Sequence, residues 1–253
     1  MARARHGAVR VGCSGWHYAG WAGVFYDPSL PKSKWLEAYA QEFDPVELNN
    51  SFYRLPSAGQ FARWRESVPN GFLFSVKASR YLTHLKRLRD PDAPLELLIT
   101  RASELGSTLG PILYQLPPRW RPDRERLLAF VEALPRRARH RRTPLTLRHA
   151  IEFRDAEAYE ARTIDLLRSH DVALCVHDMH GSESPRTVTR RLAYIRFHGY
   201  GAKYGGSYPT ERLTSWAEWI GILRREGIDV FAYFNNDIDG HAVRDARRLK
   251  ALL

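Results

Sequence analysis

Eight short apolar segments alternate along this chain with longer segments whose apolar residues recur every three or four positions. Short apolar runs are typical of buried strands, and the longer periodic segments are typical of amphipathic helices. Strand followed by helix, repeated eight times, predicts an α/β fold, a closed parallel (β/α)8 TIM barrel. The predicted strands are Val9–Cys13, Pro45–Asn49, Phe72–Lys77, Pro111–Gln115, His149–Arg154, Val172–His177, Ala193–His198 and Val230–Asn235.

Seven helices are predicted between and after these strands. The stretch between the sixth and seventh strands is the weakest helix candidate, because Gly181–Pro185 is turn-like. The length of 253 residues fits one such barrel, so residues 1–253 are predicted to form a single domain. The glycine- and tyrosine-rich loop Gly199–Pro209 is either a mobile lid or a flexible connection. The predicted helices are Ser33–Phe43, Ala58–Ser67, Leu95–Leu109, Asp123–Leu134, Ala156–His170, Thr214–Glu226 and His241–Leu253.

Polar side chains share one face of nearly every predicted strand. In the second strand Val46 and Leu48 lie on one face, and Glu47 and Asn49 lie on the other. Because the surrounding helices need the apolar face, the polar face is predicted to point into the barrel. Active sites of this fold lie at the carboxyl ends of the strands. The inward polar groups so predicted are Ser14, Glu47, Asn49, Ser75, Lys77, Gln115, Glu152, Arg154, His177, Arg196, His198 and Asn235.

The net charge of +11 makes an anionic partner, including nucleic acid, worth considering. However, 33 of the 39 basic residues are arginine, a bias that genome composition can also produce. The densest basic run, Arg136–Arg142, precedes the fifth strand and is predicted to be a solvated surface at the opposite end of the barrel. The basic residues predicted to lie at the catalytic rim are Arg80, Lys86, Arg87, Arg89, Arg119 and Arg121.

A cytoplasmic protein without membrane segments is expected. No apolar stretch approaches the roughly 18 residues of a membrane span, and no signal-peptide pattern precedes the first strand. Cys13 and Cys175, the two cysteines, both fall inside predicted strands. They are therefore predicted to be buried free thiols.

Several motifs resemble the YecE-like family, whose members carry domain of unknown function 72. The resemblance runs in order from Val11 to about Leu249 and implies a (β/α)8 barrel, but no established reaction. One departure concerns the family's His and Trp after the Glu-Phe-Arg motif, where this chain has Asp155 and Tyr159. The motifs that carry the resemblance are Gly12–Tyr18 with Trp21, Val46–Pro56, Phe74–Lys77, Thr83-His84, Leu113–Pro117, Glu152–Arg154, Arg196–Gly199 and Tyr233–Asp237.

The charges predicted at the strand ends favour an anionic ligand. Lys77, Arg154 and Arg196 outnumber Glu47 and Glu152, and arginine forks suit phosphate or carboxylate groups. The candidate catalytic residues are Glu47, Lys77, Glu152, His177 and His198, with Glu47 as acid or base and either histidine as proton donor. The candidate substrate-binding residues are Trp16, Tyr18, Asn49, Tyr53, His84, Gln115, Arg154, Arg196, Tyr233, Asn235 and Asn236, with Trp21 as a further stacking candidate.

Structural explanations for these residues stay open. The polar groups could form a hydrogen-bonded plug, Glu152 could be permanently paired with an arginine, and the aromatic residues could simply pack. No cofactor is predicted, although His84, His177, His198 and Glu152 are ligand types that a divalent metal could use. The cations in the same set would repel such an ion.

The leading hypothesis is an enzyme, a hydrolase or lyase, that acts on an anionic, phosphate-bearing substrate. A more specific version of this hypothesis is that the substrate is a nucleic acid. The first alternative is a barrel that binds nucleic acid or another ligand without turnover. The second alternative is a carbohydrate hydrolase, which the two carboxylates and the aromatic residues suggest.

Overall fold

The computed structural model describes residues 5–120, 123–201 and 204–253. The chain divides into two compact units. One unit contains the residues up to Val46 together with Val176–Leu253, and the other contains Glu47–Cys175. The prediction of a single domain stays a prediction.

The strands are β1 (Val9–Cys13), β2 (Pro45–Leu48), β3 (Leu73–Lys77), β4 (Leu109–Gln115), β5 (Arg137–His140), β6 (Thr143–Thr146), β7 (His149–Glu152), β8 (Ala173–Asp178), β9 (Leu192–Phe197) and β10 (Asp229–Phe234). Eight parallel strands among them close into a barrel in the order β1-β10-β9-β8-β7-β4-β3-β2. The predicted TIM-barrel fold is therefore confirmed, and every predicted strand agrees with a barrel strand to within two residues. The chain passes from one unit to the other inside β2 and again inside β8.

The helices follow the predicted order, with two of them interrupted. The helix predicted over Leu95–Leu109 is α-helical only to Ala102, and the 3₁₀ segment that follows contains Gly106 with a positive φ of 56°, which an α-helix does not accommodate. The helix predicted to begin at Ser33 begins at Trp35, because Ser33 lies inside a 3₁₀ turn, Lys32–Lys34. The α-helices are α1 (Trp35–Ala40), α2 (Asn50–Tyr53), α3 (Ala58–Glu66), α4 (Asp92–Ala102), α5 (Arg124–Ala133), α6 (Ala161–Ser169), α7 (Thr210–Arg225) and α8 (His241–Ala251).

Six short helical segments complete the pattern among the described residues, one of them the π-helical segment Tyr81–Leu85. Ser103–Thr108 continues the chain beyond α4, and Ala156–Tyr159 takes the first part of the helix predicted over Ala156–His170. As expected from its turn-like sequence, no helix connects β8 to β9 among the described residues. The remaining turns are Ala19–Trp21, Lys32–Lys34 and Ile238–Gly240.

The alternation of faces in the second unit follows the predicted pattern. Tyr114 of β4 packs against Phe130 of α5, with ring centroids 5.1 Å apart. Because neighbouring residues of a strand point to opposite faces, Leu113 and Gln115 point away from the helices. Lys77 of β3 is in register with Leu113 and shares its face.

The first unit shows the same alternation. Phe197 of β9 packs against Trp216 of α7 at 5.1 Å and stacks on Phe234 of β10 at 4.4 Å. Arg196 and Tyr233, which pair with each other in register, therefore occupy the opposite, inner face.

The densest basic run forms an antiparallel hairpin of β5 and β6, which the sequence pattern does not predict. Arg137 and Arg139 are exposed, as expected for a solvated surface. Nη1 of Arg65 lies 2.8 Å from Nε2 of His140 and fixes one edge of the hairpin. The basic run is therefore a surface element that precedes β7.

Both cysteines are buried free thiols, as predicted. Within the ranges that the structure describes, no helix has the length and apolar character that crossing a membrane requires.

Substitution of Gly12 tests the close approach of β1 and β2. A Cβ atom on Gly12 would lie 2.2 Å from the carbonyl oxygen of Pro45, and this contact is with backbone that cannot turn away. We expect Gly12→Ala to lower the free energy of unfolding by about 1–3 kcal/mol, measured by urea denaturation. Gly20→Ala is the matched control, because a Cβ atom at Gly20 would meet nothing within 4 Å. Equal stability of the two variants would contradict this packing.

Candidate functional site

Three polar side chains end neighbouring strands of the second unit. Lys77 ends β3, Gln115 ends β4 and Glu152 ends β7, and the register pairs Gln115 with Glu152. Glu47, near the end of β2, is fully buried and belongs to the same unit. The register of β3, β4 and β7 agrees with the predicted inner face for Lys77, Gln115 and Glu152.

Lys77 lies against an aromatic ring. Its Nζ is 4.1 Å from the centroid of Phe52, a favourable cation–π distance, and its side chain is buried. The short helix α2 holds this ring in place, because the buried hydroxyl of Ser51 reaches the carbonyl oxygens of Leu48 and Lys77 at 2.8 and 2.7 Å. The sequence does not indicate this role for Phe52, which it contains only as part of the motif Val46–Pro56.

Glu152 and Arg154 form a buried ion pair. Oε1 of Glu152 lies 2.5 Å from Nε of Arg154, and the two side chains are 0% and 6% exposed. Removing one partner of such a pair leaves an uncompensated buried charge, which costs about 3–5 kcal/mol. The pairing that the sequence left open for Glu152 is therefore present in the structure.

His84 lies in a π-helical segment, Tyr81–Leu85, that follows β3. Its ring meets Phe52 edge-on, with centroids 4.9 Å apart, and its Nδ1 lies 2.9 Å from Oγ1 of Thr83. Such π-turns are rare and often occur at functional sites.

The surroundings of His84 oppose its protonation. Burial, followed by the positive charges of Lys77, Arg80 and Arg154, lowers the pKa of His84 to about 4, against a smaller opposing effect of Glu152. The imidazole is therefore neutral at neutral pH. Together, Lys77, His84, Arg154 and Glu152 with Phe52 form what we call the Lys77 cluster.

An apolar cavity of about 590 Å³ borders the same π-helical segment. Its lining includes Tyr81, Leu82 and Leu97 but none of the members of the Lys77 cluster. The charged chemistry and this cavity are therefore separate features of the second unit.

Several polar side chains lie at the strand ends of the first unit. Arg196 of β9 is fully buried, and its Nη2 lies 3.4 Å from Oγ of Ser14. Because β10 separates β9 from β1, this contact crosses the inner face of the sheet. Beyond β9 and β10, Nδ2 of Asn235 donates to Nδ1 of His198 at 3.1 Å, and the rings of His177 and His198 lie 6.1 Å apart.

Asp245 of α8 is a buried residue that the sequence did not bring forward. Its carboxylate accepts hydrogen bonds from Ser207 Oγ at 2.7 Å and from the Tyr208 amide at 3.0 Å, and also from Asn236 and Arg248. The end of the loop Gly199–Pro209 is therefore fastened to α8. No repeated pattern in the sequence signals a single buried carboxylate on the inner side of a helix.

Tyr208 fastens the same loop at its start. Its hydroxyl accepts from the Gly199 amide and donates to the carbonyl oxygen of Asp178, both at 3.2 Å. The loop is therefore held by side-chain contacts at both of its ends.

The aromatic candidates differ widely in accessibility. Trp21 is 0% exposed and packs against Tyr18 and Phe25, so it belongs to the core and cannot stack a ligand. Trp16 is also buried, whereas Tyr53 is 75% exposed beside Phe52.

The remaining predicted residues have local partners. Tyr18 donates its hydroxyl to the Ser14 carbonyl, and Gln115 donates to the carbonyl oxygen of Leu116. Asn49 directly precedes α2, and Asn236 donates to the Gly206 carbonyl as well as to Asp245.

The basic residues that were predicted to form a cationic rim include Lys86 and Arg121. Lys86 pairs with Asp90 at 3.0 Å, which reduces its contribution to a cationic rim, and Arg121 lies outside the described residues.

Asp155 and Tyr159 stand where the resemblance to the family motif breaks off. Asp155 caps the turn Ala156–Tyr159, and Tyr159 donates to the Phe153 carbonyl. Both residues therefore have hydrogen-bond partners within a few residues along the chain.

Metal ligation has no cluster to support it. Among the described ranges, no three or more His, Cys, Asp or Glu side chains are grouped as an ion would require.

A family comparison matches residues 10–253 to a family described as "Protein of unknown function DUF72". The chain belongs to the DUF72 family. It is 25% identical to UPF0759 protein YunF of Bacillus subtilis, over 97% of this chain and 94% of that protein. It also matches UPF0759 protein YecE of Escherichia coli over a shorter region, with 35% identity over 40% of this chain and 37% of that protein.

Solved structures agree with the fold of this DUF72 member. A DUF72 family protein from Thermotoga maritima has a TM-score of 0.84 at 28% identity, covering 97% of this chain and 98% of that one. D-psicose 3-epimerase from Clostridium cellulolyticum has a TM-score of 0.54 at 13% identity, covering 96% of each chain. At that identity the epimerase shows a shared barrel fold alone.

Replacement of Lys77 tests the electrostatics of the Lys77 cluster. We expect Lys77→Met to raise the pKa of His84 above about 4, because it removes the positive charge that opposes protonation most strongly. Measurement is by NMR titration of the His84 ring. Lys86→Met is the control, since Lys86 is paired with Asp90. An unchanged His84 titration in Lys77→Met would contradict the assignment.

Proposed function

We propose that this DUF72 protein is an enzyme, a hydrolase or lyase, that binds an anionic, phosphate-bearing substrate at the Lys77 cluster. The observation that carries the proposal is the contact of Lys77 and His84 with the same Phe52 ring. Burial and the neighbouring positive charges together keep His84 neutral. A bound anion would offset the repulsion that these charges exert on a protonated ring.

The surroundings suit a phosphate oxygen. Lys77 supplies a compact ammonium charge, and Arg154 supplies a planar guanidinium held by Glu152. Neutral His84 can accept a proton when an anion binds, since the negative charge raises its pKa. Glu47, buried in the same unit, is the proposed acid or base of the chemical step.

Phosphate binding tests the proposal directly. We expect inorganic phosphate to bind the wild-type protein with uptake of protons and with a higher pKa for His84. Lys77→Gln should weaken this binding by about tenfold or more, because a charge-assisted contact is lost. Calorimetry in buffers of different ionisation enthalpy and NMR titration provide the two measurements.

Arg139→Gln is the matched control, because it removes an exposed arginine of the hairpin. If phosphate binds without changing the pKa of His84, this site is ruled out. An equal loss of phosphate affinity in Lys77→Gln and Arg139→Gln would rule it out as well.

A test for turnover of phosphate esters distinguishes an enzyme from a barrel that only binds its ligand. A panel of phosphomonoesters and phosphodiesters is incubated with the wild-type protein and with Glu47→Gln. We expect hydrolysis or elimination of at least one member, with kcat reduced about 10²-fold or more in the variant and phosphate affinity retained. Binding without turnover of any panel member would favour the non-catalytic alternative.

Nucleic acid is a second candidate for the substrate, supported by exposed aromatic and basic residues in the same unit as the Lys77 cluster. Tyr53 and Tyr81 are 75% and 51% exposed, and Arg80 and Arg87 are exposed as well. Exposed tyrosines can stack bases while arginines contact phosphates. The carbohydrate-hydrolase alternative has no comparable support, since the epimerase likeness extends to the fold alone.

An oligonucleotide experiment tests this second candidate. Fluorescence anisotropy of a single-stranded oligonucleotide is measured at several salt concentrations. We expect affinity to fall as salt rises and Tyr53→Ala to weaken binding further. Binding that is absent, or that does not depend on salt, would exclude nucleic acid while leaving small phosphate esters in place.

A further inference from the structure

The cavity of about 590 Å³ beside the π-helical segment Tyr81–Leu85 lies wholly among described residues of the second unit. Its volume falls in the range of protein sites that take small organic molecules. Of its lining residues, Leu82 and Leu98 are buried, whereas Tyr81 and Leu97 are about half exposed. Large apolar side chains that stay exposed next to a cavity are typical of a ligand-binding surface.

The turn between this segment and α4 has an unusual backbone. Arg87, Leu88 and Asp90 have positive φ angles of 47°, 64° and 40°, a conformation that is costly for residues other than glycine. Leu88 holds the turn in place, because its side chain is buried and its amide donates to the carbonyl oxygen of Leu82 at 3.0 Å. Such conformations occur often at ligand sites. The turn therefore gives the cavity a fixed edge, to which Lys86 and Asp90 belong.

The charges that line the cavity do not balance. Lys86 and Asp90 pair with each other at 3.0 Å, and Nζ of Lys86 lies 6.0 Å from the centroid of the Tyr81 ring. Asp92, in the first turn of α4, has no hydrogen-bond or ion-pair partner among the residues that the structure describes. The described lining therefore carries two carboxylates and one ammonium group.

We propose that this cavity binds an organic ammonium ion, a small molecule with an apolar body and a primary amine. The body packs against Leu82, Leu97 and Leu98, and the amine pairs with Asp92. The half-exposed ring of Tyr81 offers the amine a second favourable contact, since aromatic faces attract cations.

An anionic head group fits the same lining less well. It would have to displace Asp90 from Lys86, and it would also meet the negative charge of Asp92. Arg87 and Arg89 belong to the turn but do not line the cavity. The site therefore has a ligand preference opposite to that of the Lys77 cluster, and the proposal does not rest on the function proposed for that cluster.

Three probes with the same naphthalene body test the proposal by NMR titration of the full-length protein. They are naphthylethylamine, naphthylethanol and naphthylacetate, which are cationic, neutral and anionic at neutral pH. We expect the amine to bind most tightly and the acetate most weakly, with shifts of the Tyr81, Leu82 and Leu97 amides. Asp92→Asn should weaken binding of the amine about two- to fivefold, because an exposed ion pair is lost, and leave that of the alcohol unchanged. Arg89→Gln is the matched control and should not weaken binding of the amine.

A second pair of variants tests the location of the site. Ala93→Trp should abolish binding of all three probes, because the indole fills the space that Ala93 lines. Thr100→Trp is the control, since Thr100 is exposed on the same helix and does not line the cavity.

Two kinds of result would overturn the proposal. The site is wrong if no probe binds saturably or if binding persists in Ala93→Trp. The ligand class is wrong if the acetate or the alcohol binds as tightly as the amine, or if Asp92→Asn and Arg89→Gln have equal effects. Lys77→Gln should bind the amine as the wild-type protein does, so failure of phosphate binding and failure of this proposal are distinguishable.

Discussion

A charge on the inner face of a closed barrel has to be matched by a nearby partner. Burying a lone ion costs several kcal/mol, and the strand alternation directs these side chains away from the outer face of the barrel. In the second unit Arg154 matches Glu152, and Lys77 lies over the Phe52 ring. Short elements that follow the strands supply these contacts, so the site depends on where α2 and the π-helical segment begin.

Each group at the strand ends is held by residues outside the barrel strands. Ser51 holds α2 against β3, which places the Phe52 ring beneath Lys77 and beside His84. In the first unit, Asp245 of α8 holds Asn236 and the end of the glycine-rich loop. Rigid supports of this kind keep a polar site in one arrangement, which electrostatic catalysis requires.

The strands and their inner faces could be predicted from the sequence, because a two-residue period directly reports which face meets the helices. The Lys77–Phe52 contact could not, because it depends on how α2 folds back over β3. Trp21 looked like a ligand-stacking residue, but its environment is the core, which composition alone does not show. The basic run Arg136–Arg142 carried no strand signal, since hairpin pairing of exposed residues leaves no apolar alternation.

Two cations, Lys77 and Arg154, and one carboxylate, Glu152, leave the Lys77 cluster with an excess of positive charge, and we expect an anion to bind there. Crystals of the full-length protein soaked in tungstate, a phosphate-like oxyanion, test it through anomalous diffraction at the tungsten edge. We expect a peak within hydrogen-bonding reach of Nζ of Lys77 that disappears in Lys77→Gln. A peak only at the exposed hairpin arginines, or one that persists unchanged in Lys77→Gln, would contradict it.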